Sequence, residues 1–302
     1  MSINTYIQAA RLRTLPLAIA GIISGNLLAA IHANSMHWTP FILSLSTAIL
    51  LQILSNYAND YGDFKNGADT AIRTDRVMAS GKMSLKQMQI AILTLILLSL
   101  ISGLGLLFLS IQVISMPFWI LLCLGILGIA AAYFYTAGKK PYGYFGLGDF
   151  SVYLFFGMLA VLGAYYLQAG TLPYQMTLIA HALACMSVAV LNINNIRDIE
   201  TDAQKNKHTI ATQLGYKRAL TYHKILLTNA WTALLLFIYV TKAFNSLSII
   251  YIVVIGFILY KQWLKLKACS SRMAYNSCLK SMSISTLMIM CGFCLCYFIS
   301  KI

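Results

Sequence analysis

Long apolar segments recur along the whole chain, and no other feature of the sequence constrains its fold as strongly. A helix that crosses a bilayer needs roughly 20 consecutive, mostly apolar residues. Nine segments reach or approach that length: Leu15–Ala33, Phe41–Tyr57, Gln87–Leu109, Phe118–Thr136, Phe150–Leu167, Thr177–Ile193, Ile225–Val240, Asn245–Leu264 and Ser283–Ser300. Because 59% of the residues are apolar and only 10% are charged, a water-soluble enzyme and a disordered chain are excluded. The sequence predicts an all-α polytopic membrane protein with about nine transmembrane helices, forming one domain over residues 1–302.

The basic residues predict how these helices are oriented. If the N-terminus is cytoplasmic, 20 of the 22 lysines and arginines fall in the N-terminal tail or near the loops after the second, fourth, sixth and eighth helices. Only Lys242 and Lys301 then fall on the outer side. Cytoplasmic loops of membrane proteins carry this excess of basic residues. Membrane topology therefore explains the net charge of +14, and we expect no nucleic acid as a partner.

The acidic residues are confined to one part of the chain. All eight lie between Asp60 and Asp202, and seven of them fall in two segments that we expect to be cytoplasmic loops. The first reads SNYANDYGDFKNGAD from Ser55, and the second reads LNINNIRDIETDAQKNKHT from Leu191. Acids that only formed a solvated surface would be scattered over all the loops. We therefore predict that these two aspartate-rich loops are functional sites.

The spacing within each segment places its polar side chains on one helical face. The first set is spaced i, i+4, i+7 and the second i, i+4, i+8, and both spacings keep residues on one side of a helix. The sets are Asn56, Asp60 and Asp63, and Asn194, Asp198 and Asp202. The two Asn-x-x-x-Asp units are 138 residues apart, which indicates an internal duplication with two carboxylate clusters facing each other. For three other acids, helix-end anchoring is an equally good interpretation: Asp75, Asp149 and Glu200.

Two carboxylate clusters without histidine or cysteine ligands predict a magnesium site. Hard oxygen ligands suit Mg²⁺, which usually takes one or two carboxylates together with substrate phosphates. Basic residues flank the clusters or lie in the loop between them: Lys65, Arg73, Arg76, Lys139, Lys140, Arg197, Lys205 and Lys207. Carboxylates, a metal and basic side chains together hold a diphosphate and assist its departure. The substrate class that joins a diphosphate head to a lipid-soluble tail is a polyprenyl diphosphate.

At these segments the sequence resembles the UbiA superfamily of intramembrane aromatic prenyltransferases. The two aspartate motifs of that family match Asn59-Asp60-x-x-Asp63 and Asp198-x-x-x-Asp202. Four stretches, ARLRTLPLA, LQILSNYANDYGD, KPYGYFGLGD and AVLNINNIRDIETD, are similar to its 1,4-dihydroxy-2-naphthoate polyprenyltransferase branch. The resemblance extends over nearly the whole chain.

One departure from the naphthoate branch follows the first motif. That branch usually carries a Gly-Pro pair between two arginines, whereas this chain reads IRTDRVMASGK over Ile72–Lys82. Both arginines, Arg73 and Arg76, are present without the Gly-Pro pair. We therefore rank these two arginines below the aspartates as site residues.

The resemblance implies an Mg²⁺-dependent transfer reaction in the bacterial cytoplasmic (inner) membrane, with the N-terminus and the site on the cytoplasmic side. Mg²⁺ held by Asp60, Asp63, Asp198 and Asp202 would bind the diphosphate of a polyprenyl diphosphate. The residues expected to bind or orient the diphosphate are Lys139, Lys140, Arg197, Arg73, Arg76, Asn56, Asn59 and Asn195. Among them, Lys139 belongs to the Tyr-x-x-x-Lys motif of the family. The prenyl group would pass to 1,4-dihydroxy-2-naphthoate with loss of CO₂ and diphosphate, giving demethylmenaquinol in menaquinone biosynthesis.

Two other functions fit the sequence less well. A prenyltransferase for another aromatic acceptor, such as 4-hydroxybenzoate, would share the aspartate motifs, but the FGLGD and LNINNIRD stretches favour naphthoate. A cation-coupled transporter would place its ion site near the bilayer midplane on interrupted helices. Here the acids lie at helix ends expected to be cytoplasmic, which favours the enzyme.

Overall fold

The structure of the chain is a computed structural model that describes residues 3–67, 76–111, 113–138 and 140–301. Its helices are α1 (Ile3–Ala10), α2 (Leu15–Ala33), α3 (Trp38–Lys65), α4 (Leu85–Ser110), α5 (Met116–Phe134), α6 (Gly148–Val152), α7 (Ala160–Ala169), α8 (Met176–Arg197), α9 (Ile199–Gln204), α10 (Ile210–Leu214), α11 (Tyr216–Val240), α12 (Ser246–Lys267) and α13 (Arg272–Ile299). A π-helical stretch, Tyr153–Leu159, joins α6 to α7 in one rod. The predicted all-α fold is thus confirmed for the described residues.

The predicted number of spanning segments is confirmed as well. Within the described ranges, nine helices are long and apolar enough to cross a membrane. Several extend beyond their predicted limits at one end of the bundle, which we call the aspartate end because it bears Asp60 and Asp198. There α3 continues to Lys65, α11 begins at Tyr216 and α13 begins at Arg272. These additional turns carry polar residues, so hydropathy alone does not reveal them.

The expectation of two aspartate-rich loops is not confirmed, because Asp60, Asp63 and Asp202 lie within helices. α3 continues without interruption through Asp60 and Asp63, because its last turns are buried and keep their helical backbone hydrogen bonds. α8 ends just before Asp198, and after that one residue α9 carries Asp202. The backbone N–H of Asp202 donates to the carbonyl of Asp198 at 2.8 Å, which keeps the two acids one turn apart.

α8 is the buried centre of the bundle. Of its most apolar stretch, 78% is buried, and α2, the α6–α7 rod, α11 and α13 pack around it. Small residues allow this close approach. Gly157 lies directly against Ala184 of α8, and Gly25 of α2 lies against the Val161 carbonyl, so a Cβ at either glycine would overlap its neighbour. Close backbone contact at small residues is a usual way for membrane helices to associate.

α4 and α5 form an outer wall that is packed on one side only. Just 22% and 6% of their most apolar stretches are buried, and both helices lie against α3. α4 begins with a capping box in which Ser84 and Gln87 satisfy each other's backbone N–H groups, and α5 has Pro117 in its first turn. The wall formed by α3, α4 and α5 faces the α2–α7–α8 side across a cavity.

A second, smaller core covers the aspartate end of α3. It joins residues of α1, α3 and α4, of the segment between α3 and α4, and of the segment after α5: Ala9, Ala10, Leu54, Tyr57, Tyr61, Val77, Met78, Met83, Met88, Ile92 and Ala137. The Tyr57 hydroxyl donates to the carbonyl of Tyr6 at 2.8 Å. The N-terminal segment and the residues that follow Arg76 are thereby packed onto the last turns of α3, next to its aspartates.

Candidate active site

One cavity of about 380 Å³ connects the aspartate end to the opposite side of the bundle. Its lining extends from Asp63 to Ser44 along α3, a distance of roughly 28 Å along the helix axis. We call its polar part the head site, lined by Arg11, Arg13, Asn56, Asn59, Asp63, Arg76, Asn194, Asn195, Asp198, Asp202 and Lys207. The remainder, the apolar limb, is lined mainly by leucines and small residues of α3, α4, α5 and α7. A charged head site and a long apolar limb therefore share one space.

The first carboxylate pair is buried and faces two arginines. Asp60 and Asp63 are 1% and 3% exposed. Arg76 Nη2 lies 3.0 Å from Asp63 Oδ2, and Arg76 Nη1 lies 3.9 Å from Asp60 Oδ1. Arg11 Nη2 is 4.0 Å from the same Asp60 oxygen, while the other one accepts the backbone N–H of Val77 at 3.1 Å. Buried carboxylates require such cationic and hydrogen-bonding partners to remain charged.

The turn that carries Arg11 is held against α3 by polar side chains. Arg11 has a positive φ of 47°, in the left-handed region. Asn56 Nδ2 donates to the Ala10 carbonyl at 2.8 Å and to Thr14 Oγ1 at 3.1 Å, and Gln52 Nε2 also reaches that hydroxyl at 3.0 Å. The amide of Asn56, predicted to bind diphosphate, thus donates to the arginine-bearing turn.

The second carboxylate pair has its own cations. Arg197 donates from Nε to Asp198 Oδ1 at 3.1 Å and from Nη2 to Oδ2 at 2.6 Å. Its remaining nitrogen Nη1 donates to Asn276 Oδ1 of α13 at 2.6 Å. Arg272 Nη2 lies 3.2 Å from Asp198 Oδ1, and Lys207 Nζ lies 3.7 Å from Asp202 Oδ1. The first turns of α13 therefore take part in building the site.

Tyr144 connects the two carboxylate pairs. Its hydroxyl donates to Asp63 Oδ1 at 3.0 Å, and Lys207 Nζ lies 5.2 Å from the centre of its ring. The backbone N–H of His208 donates to the Tyr144 carbonyl at 2.9 Å. This hydrogen bond joins the segment before α6 to the segment after α9. Through Tyr144 and the Lys207–Asp202 ion pair, the two predicted clusters lie in one continuous site.

The end of α5 packs tightly on the first aspartate motif. Gly62 lies against the backbone of Thr136, leaving no space for a Cβ. The Thr136 hydroxyl donates to Asn59 Oδ1 at 3.0 Å. The preceding residue, Tyr135, lines the cavity, and burial raises the pKa of its phenol, so that group remains protonated. The glycine between the two aspartates thus allows α5 to deliver an aromatic ring to the head site.

The predicted site residues divide into four groups. Most of them line the cavity, namely Asn56, Asn59, Asp63, Arg76, Asn195, Asp198 and Asp202, and Asp60 contacts Arg76. Arg197 is bound to Asp198 and Asn276. Lys140 is exposed. Lys139 and Arg73 lie outside the described residues, and so does Asp75. The diphosphate roles of all these residues stay predictions.

Sequence reasoning missed several residues that the fold brings to the site. From the sequence alone, Arg11 and Lys207 count only as topological or flanking charges, and Tyr144, Arg272 and Asn276 are not identified. The ARLRTLPLA and KPYGYFGLGD stretches contain Arg11 and Tyr144, so a signal was present for these two. Arg272 and Asn276 lie more than 70 residues beyond Asp198 in sequence, and no local pattern links them to it.

The carboxylates present a donor set that fits a hard divalent cation. Asp60 Oδ1 is buried and accepts no hydrogen bond within the described part of the chain. In the same part of the chain, no three histidine, cysteine or acidic side chains are grouped closely enough to hold a metal ion alone. Mg²⁺ suits such a site, because it commonly binds one or two carboxylates and completes its shell with water and substrate phosphates.

Known proteins resemble this chain in sequence and in fold. The 1,4-dihydroxy-2-naphthoate octaprenyltransferase of Escherichia coli is 44% identical over 238 residues, 78% of this chain and 76% of that protein. The enzyme of the same name from Haemophilus influenzae is 39% identical over 226 residues, 74% of this chain and 73% of that protein.

A solved structure has the same fold. A UbiA homolog from Archaeoglobus fulgidus, bound to GPP and Mg²⁺, matches 98% of this chain and 99% of its own with a TM-score of 0.64 at 14% identity. The UbiA prenyltransferase family matches residues 15–295 of the sequence, a range that includes both aspartate pairs. The chain therefore belongs to the UbiA prenyltransferase family.

Proposed function

We propose that this protein transfers a polyprenyl group from a polyprenyl diphosphate to 1,4-dihydroxy-2-naphthoate, releasing diphosphate and CO₂ and forming demethylmenaquinol. The observation that carries the proposal is the continuity of the charged head site with the apolar limb. A substrate with a diphosphate at one end and a hydrocarbon chain at the other requires both environments together. The naphthoate acceptor is supported by relatives of that name at 39% and 44% identity.

The head site would bind the diphosphate through its cations. Mg²⁺ held by Asp60, Asp63, Asp198 and Asp202 would neutralise the diphosphate and make it a better leaving group. Once the aspartates are occupied in this way, the guanidinium and ammonium groups that face them are available for phosphate oxygens, to which they form strong charge-assisted hydrogen bonds. Those groups belong to Arg11, Arg76 and Lys207 on the cavity wall.

Beyond the head site, the cavity wall would protect the allylic cation. When the allylic carbon–oxygen bond breaks, its electron pair leaves with the diphosphate and the prenyl carbon becomes positive. The apolar side chains of the limb exclude water that would otherwise capture this carbon. Aromatic faces attract cations, and Tyr135, Phe155 and Phe156 lie on the cavity wall.

The acceptor supplies the electrons for the new bond. The naphthoate carbon that bears the carboxylate attacks the prenyl cation and forms the carbon–carbon bond. The bond to the carboxylate then breaks, its electron pair returns to the ring, and CO₂ leaves. Because the carboxylate enters ionised and leaves as CO₂, no proton has to be removed from that carbon.

We also assign the aspartate end to the cytoplasmic face of a bacterial inner membrane. The assignment rests on the sequence, in which 20 of the 22 basic residues fall in the N-terminal tail or near the loops predicted to be cytoplasmic. Reporter domains fused after Val240 and after Lys267 test it, because these residues end successive spans. A reporter active in the cytoplasm should work only after Lys267. Activity only after Val240 would reverse the orientation.

A two-acceptor assay tests the reaction. Purified protein is incubated with a polyprenyl diphosphate and either 1,4-dihydroxy-2-naphthoate or 4-hydroxybenzoate, with Mg²⁺ or with EDTA, and products are identified by mass spectrometry. We expect decarboxylated prenyl product from naphthoate alone, and none with EDTA. If only 4-hydroxybenzoate gives product, the prenyl transfer is supported and the assignment of naphthoate as the acceptor is refuted. Unchanged product with EDTA would overturn the role of the metal.

A further inference from the structure

The chain after Asp202 carries positive charge without any negative charge. All eight acids lie at or before that residue, whereas lysines and arginines continue to Lys301. The preference of cytoplasmic loops for basic residues accounts for the side of the membrane on which most of them lie, but it predicts no particular arrangement among them. At the aspartate end of α11 and α12, these residues are arranged around aromatic rings.

Two lysines from different helices converge on one indole ring. Lys224 Nζ of α11 lies 5.3 Å from the centre of the Trp263 ring, and Lys267 Nζ at the end of α12 lies 5.5 Å from it. An ammonium group within about 6 Å of a ring centre is attracted by the π electrons. The ring of Tyr260 lies beside that of Trp263, with 5.9 Å between their centres. We call Lys224, Tyr260, Trp263 and Lys267 the lysine–tryptophan cluster.

The charges of this cluster are not neutralised within the described part of the chain. There, neither lysine forms an ion pair with a carboxylate, and the indole N–H of Trp263 makes no hydrogen bond. Both lysines are exposed and Trp263 is half-buried, so the cluster is accessible from outside the protein. Two like charges close to one ring repel each other, and one anion that contacts both would remove this repulsion.

The cluster lies at the level where lipid headgroups are expected, above an apolar surface. Lys224 directly precedes the predicted apolar stretch of α11, and Trp263 is one turn before the end of α12. Tryptophan and lysine at such positions place their polar atoms at the membrane interface. Further along α12, Tyr260, Phe257 and Val253 share one helical face and are 53%, 61% and 65% exposed. An anion with hydrocarbon chains fits this surface better than a free anion does.

We propose that the lysine–tryptophan cluster binds the phosphate of one anionic phospholipid, with an acyl chain along Tyr260, Phe257 and Val253. Two ammonium groups and an indole N–H would donate to the phosphate oxygens. A zwitterionic headgroup would bring its own cation next to the lysines and bind less tightly. None of the cluster residues lines the cavity, so this site is separate from the head site and goes beyond the proposed function. Basic pockets between membrane helices are a known type of site for acidic lipid headgroups.

Native mass spectrometry of the purified full chain tests the proposal. The protein in detergent micelles is titrated with phosphatidylglycerol or with phosphatidylcholine of the same acyl chains, and the dissociation constant of the first bound lipid is measured. The wild type should bind phosphatidylglycerol about 30-fold more tightly than phosphatidylcholine, since each of two lysines near an acidic headgroup contributes about fivefold. Lys224→Gln/Lys267→Gln should abolish this preference.

Two further variants separate a site from overall charge. Lys82→Gln/Lys86→Gln is the matched control, because both lysines are exposed, one just before α4 and one in its first turn, and α4 packs against α3. It removes the same charge from the aspartate end and should keep the preference for phosphatidylglycerol. Lys224→Arg/Lys267→Arg retains both cations at the cluster and should keep the preference as well.

Equal affinity of the wild type for the two lipids would overturn the proposal. An equal loss of preference in the control variant would also overturn it, because the effect would then belong to the overall charge. Displacement of phosphatidylglycerol by the same concentration of inorganic phosphate would refute a lipid as the occupant. If the double glutamine variant is not recovered folded, Lys224→Gln and Lys267→Gln alone should each reduce the preference about fivefold, and failure of both counts against the proposal. These measurements use no substrate, so they are independent of the proposed function.

Discussion

The two aspartate pairs share an Asn-x-x-x-Asp pattern in the sequence, yet the fold supports them differently. Asp60 lies within a continuous helix, and its cations come from remote parts of the chain, Arg11 and Arg76. Asp198 lies at a helix break, and the cation that holds both of its oxygens is its own neighbour Arg197. A repeated motif therefore predicts similar ligands without predicting similar support.

This difference determines which parts of the molecule each pair depends on. The first pair needs the N-terminal turn and the end of α5, which pack on α3 around Gly62. The second pair needs the first turns of α13, because Asn276 and Arg272 hold Arg197 and Asp198. Variants that affect one of these supports should damage one pair and leave the other intact.

The largest effect should come from removing the carboxylate charge on either side. Asp60→Asn and Asp198→Asn should each lower kcat at least about 10³-fold, because the metal loses a carboxylate ligand and the diphosphate is then no longer neutralised as a leaving group. Turnover is measured with saturating substrates, and thermal unfolding checks that the variants fold. Glu200→Gln is the control, since Glu200 is exposed on α9 and should not affect the rate. A near-normal rate in either aspartate variant would refute a shared metal site.

A smaller effect, confined to the first pair, is expected from Gly62→Ala. The new methyl group would overlap the Thr136 backbone and push α5 away from α3. A displacement of about 1 Å at a catalytic site can cost about 10²-fold in rate. The matched control is Gly105→Ala, which adds the same methyl group to α4 in open space. Equal activity in the two alanine variants would show that this contact does not position the site.

The arginines of the two pairs should differ in kinetic signature. Arg76 lines the cavity, so Arg76→Gln should raise KM for the prenyl donor about 10- to 100-fold through loss of charged hydrogen bonds. Arg197 is fully engaged by Asp198 and Asn276. We therefore expect Arg197→Gln to lower kcat and Mg²⁺ affinity, with a smaller change in donor KM. Initial rates measured over a range of donor concentrations and a range of Mg²⁺ concentrations separate the two patterns. The same pattern in both variants would refute the difference in role between Arg76 and Arg197.

The smallest effect should come from Asn276, which acts on the second pair through Arg197. Asn276→Ala should raise the Mg²⁺ concentration for half-maximal activity about 10-fold, a usual cost of removing an outer partner of a metal ligand. Asn276→Asp keeps an acceptor for Arg197 and should restore the value. Asn229→Ala, at an exposed position on α11, is the matched control. A loss that the aspartate variant does not restore would point to a packing role instead.

The sequence was sufficient for the helical architecture and for the family to which the chain belongs. Hydropathy predicts the nine spans because a bilayer admits few alternatives to long apolar helices. The confinement of the acids predicts Asp60 and Asp198 because charges near a membrane are costly unless they are used. The expected loops are not confirmed at Asp60 and Asp63, because burial keeps the polar last turns of α3 helical and hydropathy does not measure that burial.

What the sequence could not provide are the long-range partners. Asn56 has the residue type of a phosphate ligand, and only the fold shows that its amide is bound to Ala10 and Thr14. Arg197 likewise has the charge expected for diphosphate, while its geometry commits it to Asp198. Hydrogen bonds between residues distant in sequence depend on how helices pack, and spacing along one helix carries no information about them.

The left-handed backbone at Arg11 has a consequence for how this position changes in evolution. At a φ of 47°, glycine or asparagine would have a lower conformational energy than arginine. For glycine the difference is about 1–2 kcal/mol. Mutational drift at a position selected for stability alone would therefore replace the arginine. Lineages that keep the guanidinium here sacrifice stability for it, and we expect those that have lost it to have changed what they bind.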